Sequence, residues 1–229
     1  MQYSAFDRFA TLLQEANEQY NLTRITDIDN IYIRHFADSL EALPIIGSEE
    51  PIKLLDMGSG AGLPGLALAL ARPDWHITSL EATEKKLKFQ HEVITELNCG
   101  NVTLCHGRAE DVAYDPQHRE HYDIVTARAV SHLRILVELA LPLLRVGGRL
   151  LAYKGLKSNQ ELYESQGALS RLHGRVRIIN EYTLGELAAK VRIPLAEPDG
   201  RFRIIDVEKI ETTAPIYPRD YSLIKNTPL

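Results

Sequence analysis

The sequence predicts an α/β fold, a mostly parallel sheet with helices on both faces, preceded by an N-terminal helical layer. Two observations carry this. From residue 52 onward, short apolar segments alternate with segments of helical period, the rhythm of strand–helix–strand units. The first apolar segment then runs into four glycines within eight residues, in LLDMGSGAGLPG at 54–65. A bland loop needs one or two glycines. Four suggest that something must come very close to the backbone at the end of a buried strand.

Taken in order, residues 5–20 place Phe6, Phe9, Leu12, Leu13, Ala16 and Tyr20 at helical spacing. Residues 28–43 repeat the pattern with Ile28, Ile31, Phe36, Leu40 and Leu43, and Pro44 and Gly47 are expected to end that helix. IKLLDM (52–57) reads as a first strand and 63–71 as a helix. HITSLE (76–81) is a second strand, followed by a helix over 84–98. VTLCHG (102–107) and YDIVTA (122–127) are strands three and four, with a helix over 132–144. VGG turns the chain into RLLAYK (149–154), strand five, and a further helix is expected over 158–172. RVRIINEY (175–182) and FRIIDVEKI (202–210) close the sheet, and the tail 211–229, with three prolines, reads as irregular. The expected organisation is a helical extension at 1–50 packed on a main domain at 51–229, one globular unit overall.

Composition bounds the function. At 229 residues, 45% hydrophobic and 25% charged, the chain suits a single buried core. Its longest apolar run, Leu66–Ala71, is far too short for a membrane span, and the N-terminus lacks the apolar stretch of a signal peptide. The two cysteines, Cys99 and Cys105, match no zinc spacing, and the eight histidines are scattered. The expectation is a cytoplasmic protein, monomeric, without metal and without a membrane. Net charge is −5, yet residues 145–177 hold 7 basic and 2 acidic side chains. Such an island is either a solvated face or a docking surface for phosphates.

In an open parallel sheet, ligands bind beyond the carboxyl ends of the strands, where strand order reverses. The glycine stretch lies at such an end. Glu81, ending strand two, can accept hydrogen bonds from ribose hydroxyls. Gly60-Ala61-Gly62-Leu63-Pro64-Gly65 formally matches the dinucleotide fingerprint, but it begins four residues past the strand-end acid. The better fit is Asp56-x-Gly58-x-Gly60-x-Gly62, the pattern of S-adenosylmethionine enzymes. There the glycines admit the cofactor, and the acid orients the loop or meets the ammonium group. Pro64 falls near the first helical position, where its missing N–H costs little. Ala109-Glu110, after strand three, lies where such enzymes enclose the adenine.

The chain then resembles the RsmG proteins, also called glucose-inhibited division protein B, the 16S ribosomal RNA guanine-N7 methyltransferases. RHFADS (34–39), DMGSGAGLPG (56–65), LEATEKK (80–86), RAEDV (108–112), TARAVS (126–131), YKG (153–155) and YPRD (217–220) appear in family order. The resemblance implies a Rossmann-like class I methyltransferase acting on one guanine of small-subunit ribosomal RNA, free or in a subunit precursor. It also implies cofactor contacts at Gly58, Leu63, Ala109, Glu110 and Arg128. Glu81 stands where many relatives have Asp.

The residues speak to the target atom independently. Cytosine C5 chemistry needs a cysteine nucleophile, and neither cysteine is at the end of strand four. Exocyclic amine methylation commonly uses a polar-Pro-Pro-aromatic motif there, where this chain has Ala127-Arg128-Ala129-Val130. A ring nitrogen such as guanine N7 needs neither device. Arg128, at the rim of the crevice, is expected to meet the cofactor carboxylate, guanine O6 or a phosphate. His35 is the nearest candidate base. Arg34 and Asp38 share a helix face and either frame the pocket mouth or pair with each other. Lys154, Lys157 and Arg219 are further RNA-contact candidates. A small-molecule methyltransferase and a nucleotide-binding module using NAD are the competing readings.

Overall fold

The computed structural model describes residues 3–155, 158–195 and 200–229. Helix α1 (Tyr3–Tyr20) is followed by a nearly continuous helical segment with an unusual middle. This comprises α2 (Ile28–Ile31), a π-helical stretch (Tyr32–Ala37), α3 (Asp38–Leu40) and α4 (Ala42–Ile46). Most of the apolar faces seen in the sequence are buried or partly buried, Ile28 being the exposed exception. The Phe36 ring lies 5.0 Å from Phe6 and 5.2 Å from Phe9, and Phe9 continues to Phe89 at 6.4 Å. The N-terminal helices therefore share one apolar cluster with the two helices that follow β1 and β2.

The sheet contains β1 (Lys53–Met57), β2 (His76–Glu81), β3 (Val102–His106), β4 (Tyr122–Arg128), β5 (Leu144–Lys154), β6 (Gly174–Thr183) and β7 (Arg201–Lys209). Its order is β3-β2-β1-β4-β5-β7-β6. The first five strands are parallel; β7 and β6 are antiparallel and close one edge. Strand order reverses between β1 and β4, so the crevice lies beyond Met57 and Arg128. Around the sheet run α5 (Gly65–Ala71), α6 (Glu84–Glu96), α7 (Ala109–Val112), α8 (Leu133–Ala140), α9 (Ser158–Glu164), α10 (Gln166–Arg171), α11 (Leu184–Val191) and α12 (Tyr221–Asn226).

Several expected boundaries shift. The N-terminal helical segment runs through Pro44 and ends at Gly47, whose left-handed φ of 60° closes it with an N–H to Leu43 O bond. Pro44 is tolerated because the chain tightens at Glu41, placing the proline in the first turn of a new helix, where no N–H is required. Strand β5 starts at Leu144, before the two glycines, with a register shift opposite β4. The segment 158–172 is broken at Ser165 into two helices. Leu184–Val191 forms a helix the sequence reading missed, and the tail contains α12. Lys209 is fully buried; its ammonium donates to Glu120 at 2.7 Å and to the carbonyls of Leu141 and Leu144 at 2.9 and 2.8 Å. All three of its protons are used, which fixes the start of β5.

Candidate active site

The loop after β1 is organised by buried polar groups. The Asp56 carboxylate accepts from the Gly65 N–H at 2.8 Å and from Thr126 Oγ1 at 3.0 Å. Burial raises its pKa to about 6, against the opposing hydrogen bonds from Gly65 and Thr126. It orients the loop and ties β1 to β4. Glu81 Oε2 accepts from the Gly60 N–H and Oε1 from the Thr83 N–H, both at 2.9 Å. Gln90, fully buried on α6, donates to Ser59 Oγ at 2.8 Å and Gly60 O at 2.9 Å. The sequence held a signal for it, a lone amide on the apolar stripe Leu87–Val93 of α6.

The glycines have two different reasons. A Cβ on Gly62 would overlap the Leu66 side chain, and one on Gly65 would come within 2.7 Å of Asp56 Oδ2. These two serve packing. Gly60 has a φ of +59° and a Cβ there would meet nothing within 4 Å. It alone in the loop faces open space, the expected cradle for a ligand that approaches the backbone.

Beside that space, a cavity of about 130 Å³ is lined by Gly58, Glu81, Ala109, Glu110, Val130 and Tyr221, among others. It unites four of the expected cofactor residues. Asp56, Gly62 and Leu63 stand behind the wall: Leu63 is buried in the apolar cluster and acts through its N–H to Ser59 O. Tyr221, from α12, was not anticipated.

A second cavity of about 360 Å³ opens on the other side of the loop after β4. Arg34, His35, Asp38, Arg128, Tyr182 and Phe202 line it, with Ala129, Tyr153 and Lys154. Arg128, expected to meet the cofactor carboxylate, guanine O6 or a phosphate, lines this cavity. Its guanidinium donates to Asp38 Oδ2 at 2.9 Å and to Arg34 O at 3.1 Å. Asp38 Oδ1 accepts from the Tyr182 hydroxyl at 2.6 Å. Burial and the Asp38 charge push the Tyr182 phenol well up, so it remains a donor. His35 shares a 2.9 Å hydrogen bond with Thr23 Oγ1, and burial, then Arg128, pulls its pKa down to about 4. Its Nδ1 has no hydrogen-bond partner among the described residues. The Tyr182 and Phe202 rings stack at 6.0 Å and 24°. No local pattern announces these two, because they meet across β6 and β7.

Several cations of the basic island are paired with acids. Arg145 pairs with Asp123, Arg149 with Asp206, Lys154 with Glu161 and Arg175 with Glu208. Four of its seven cations thus meet acids, three of them from outside the segment. Lys157 lies outside the described residues. Arg219 is held by Glu138, a fully buried carboxylate on α8, at 2.7 Å, and fastens the tail to the core. Among the described residues no group of His, Cys, Asp and Glu could hold a metal ion, and no helix is long and apolar enough to cross a membrane.

Residues 2–187 match the family described as rRNA small subunit methyltransferase G, GidB. A protein named Ribosomal RNA small subunit methyltransferase G from Lactobacillus delbrueckii subsp. bulgaricus is 38% identical over 232 residues, covering 100% of this chain and 92% of the relative. That from Streptococcus pyogenes serotype M12 is 39% identical over 230 residues, with 100% and 92% covered. Among solved structures, M. jannaschii TYW2 in complex with AdoMet superposes with a TM-score of 0.56 at 14% identity, over 76% of this chain and 77% of that one. At that identity the likeness is one of fold, a Rossmann-like methyltransferase sheet.

The two glycine environments predict different failures. Gly62→Ala should lower the melting temperature, because overpacking and strain cost about 1–3 kcal/mol. Gly60→Ala is strained by its left-handed φ and should also lose some stability, but it should lose far more affinity for S-adenosylhomocysteine in calorimetry than Gly62→Ala does. Equal losses of both properties in both variants would contradict the assignment.

His35 predicts a pH dependence of stability. A histidine whose pKa falls on folding from 6.5 to about 4 binds fewer protons in the folded state between those values. Its contribution is complete above 6.5 and is lost as the pH falls. Asp56 works in the opposite sense, since its pKa rises from 3.8 to about 6. The difference between wild type and His35→Gln isolates the histidine. Urea titrations should show wild type losing about 3 kcal/mol relative to the variant on going from about pH 7 to pH 4. A pH-independent difference would place His35 in water.

Proposed function

The chain belongs to the rRNA small subunit methyltransferase G family, and we propose that it transfers a methyl group from S-adenosylmethionine to N7 of one guanine in 16S ribosomal RNA. The observation that carries this reading is the pair of cavities on either side of the loop after β4. One is lined by Gly58 at the start of the glycine loop and two carboxylates, the other by an acceptor, cations and two stacked rings.

The residues of the smaller cavity suit the cofactor. Glu81 offers carboxylate oxygens to ribose hydroxyls, Ala109 and Glu110 flank the place for adenine, and Gly60, held by Glu81 outside the lining, leaves room at the backbone. When bound, S-adenosylmethionine supplies an electrophilic methyl on a sulfonium whose charge is lost in the reaction.

The larger cavity suits an unstacked guanine. Single-stranded RNA bases are read on their Watson–Crick edges and stacked on aromatic rings. Guanine presents two donors, N1–H and the 2-amino group, beside the O6 acceptor. Asp38 can accept from the donors and Arg128 can donate to O6. This leaves the N7 lone pair bare for attack. Methylation at N7 makes the ring cationic, so the Asp38 carboxylate gains attraction as the bond forms, an interaction stronger in the transition state than in the ground state. No proton leaves N7. His35, with a pKa of about 4, is too weak a base to hold a proton at neutral pH and serves to shape the wall. Arg34, which also lines a hollow with Arg24 at the mouth, supplies cations for RNA phosphates.

A reaction without a general base predicts a flat pH profile. The single-turnover methyl-transfer rate, with cofactor and small subunits saturating, should vary little between about pH 6 and 9. Mass mapping of the product should find the methyl on a guanine base. A steep limb in that pH range would point instead to a target amine or oxygen that must lose a proton, and transfer to a small molecule alone would remove the RNA from the account.

A further inference from the structure

Lys154 matched a phosphate-binding expectation, yet its ammonium is turned inward. The side chain is 7% exposed. Nζ donates to Ser131 O at 2.6 Å and pairs with Glu161 Oε2 at 2.7 Å. The same Glu161 oxygen accepts from the Leu133 N–H at 2.8 Å. Lys154 and Glu161 thus grip the chain on both sides of His132, at the entrance to α8.

That chain is the wall between the two cavities. Arg128 and Ala129 face the larger one, and Val130 and Ser131 the smaller. Ala129 has a left-handed φ of 56°, a conformation a non-glycine residue keeps only when its surroundings impose it. A Cβ on Gly58 would come within 2.9 Å of Val130 Cγ2, so the wall also presses on the glycine loop. At one end the wall is held by Arg128 on Asp38 and the Arg34 carbonyl. At the other end it is held by Lys154 and Glu161.

We propose that Lys154 and Glu161 are positioning residues that latch residues 129–132, and so set the distance between acceptor base and cofactor, the Lys154 ammonium being committed to Ser131 and Glu161 although its side chain borders the larger cavity. The activity arm of the test rests on the methyl-transfer reading; the exchange arm does not. The alignment of reacting atoms is sensitive to displacements on the order of 1 Å.

The test compares Lys154→Met, Glu161→Gln and the double variant with wild type. In the unliganded protein, hydrogen exchange at the Leu133 amide and its neighbours should accelerate in each single variant, with β1–β4 unchanged. With cofactor and small subunits saturating, the single-turnover rate should fall about tenfold or more, as expected for a lost charged hydrogen bond. RNA KM and its salt dependence should stay the same, and the double variant should be no worse than either single one. Lys154→Arg should recover much of the rate. A rise in RNA KM with a shallower salt dependence and an intact rate would overturn the proposal and return Lys154 to the phosphates. Unchanged exchange and unchanged rate would overturn it too. If Lys154→Met fails to fold, isosteric Glu161→Gln carries the same measurements. Loss of RNA methylation in wild type itself would strike the methyl-transfer reading and leave the exchange result to judge the latch.

Discussion

The Asp38 carboxylate holds the acceptor side of this molecule together. It sits just past the π-helical stretch of the N-terminal layer, and it receives Arg128 from the end of β4 and Tyr182 from β6. Its partners lie 90 and 144 residues away in sequence. A nearly buried carboxylate is costly to dehydrate, and only good hydrogen bonds offset that cost. Removing either charge of such a pair leaves the other stranded, at about 3–5 kcal/mol. The cavity exists because these three elements must converge on one anion. The same anion is then available to a donor-rich base edge. Structure and specificity draw on a single group.

On the cofactor side, the logic is different. The glycine loop has few side chains of its own, so its shape is imposed from outside by Asp56, Glu81 and Gln90. Each reaches a backbone group of the loop from a different element. Such a preorganised loop loses little entropy when a ligand arrives. Glu81 holds the loop amide of Gly60, so under the proposed reading a ribose would meet its remaining lone pairs.

Much of this was legible in the sequence. The parallel strands and the glycine loop follow from local period and local chemistry, and β1 to β4 fall within a residue of their expected bounds. Helix α11 was legible but overlooked: Thr183 and Glu186 form a capping box, which the spacing T-x-x-E announces. Other features had no local signal. The ion pairs of the basic island depend on the fold, which brings acids from β4 and β7 against Arg145, Arg149 and Arg175. Arg219 and Lys154 were read as phosphate contacts from their place in the chain; their ion pairs with Glu138 and Glu161 depend on tertiary packing that no motif announces. Asp38 was visible as a helix neighbour of Arg34, but its pairing with Arg128 depends on how the N-terminal layer meets the sheet.

The central claim is that a bare ring nitrogen, with no base beside it, accepts the methyl group. It is tested most directly with small-subunit RNA in which the modified guanine is replaced by 7-deazaguanine. That base keeps the Watson–Crick edge read by Asp38 and Arg128 and loses only the lone pair at position 7. The account predicts that this RNA binds like the natural one, competes with it, and takes up no methyl group. Methylation of the 7-deaza substrate at a rate near that of guanine would contradict it.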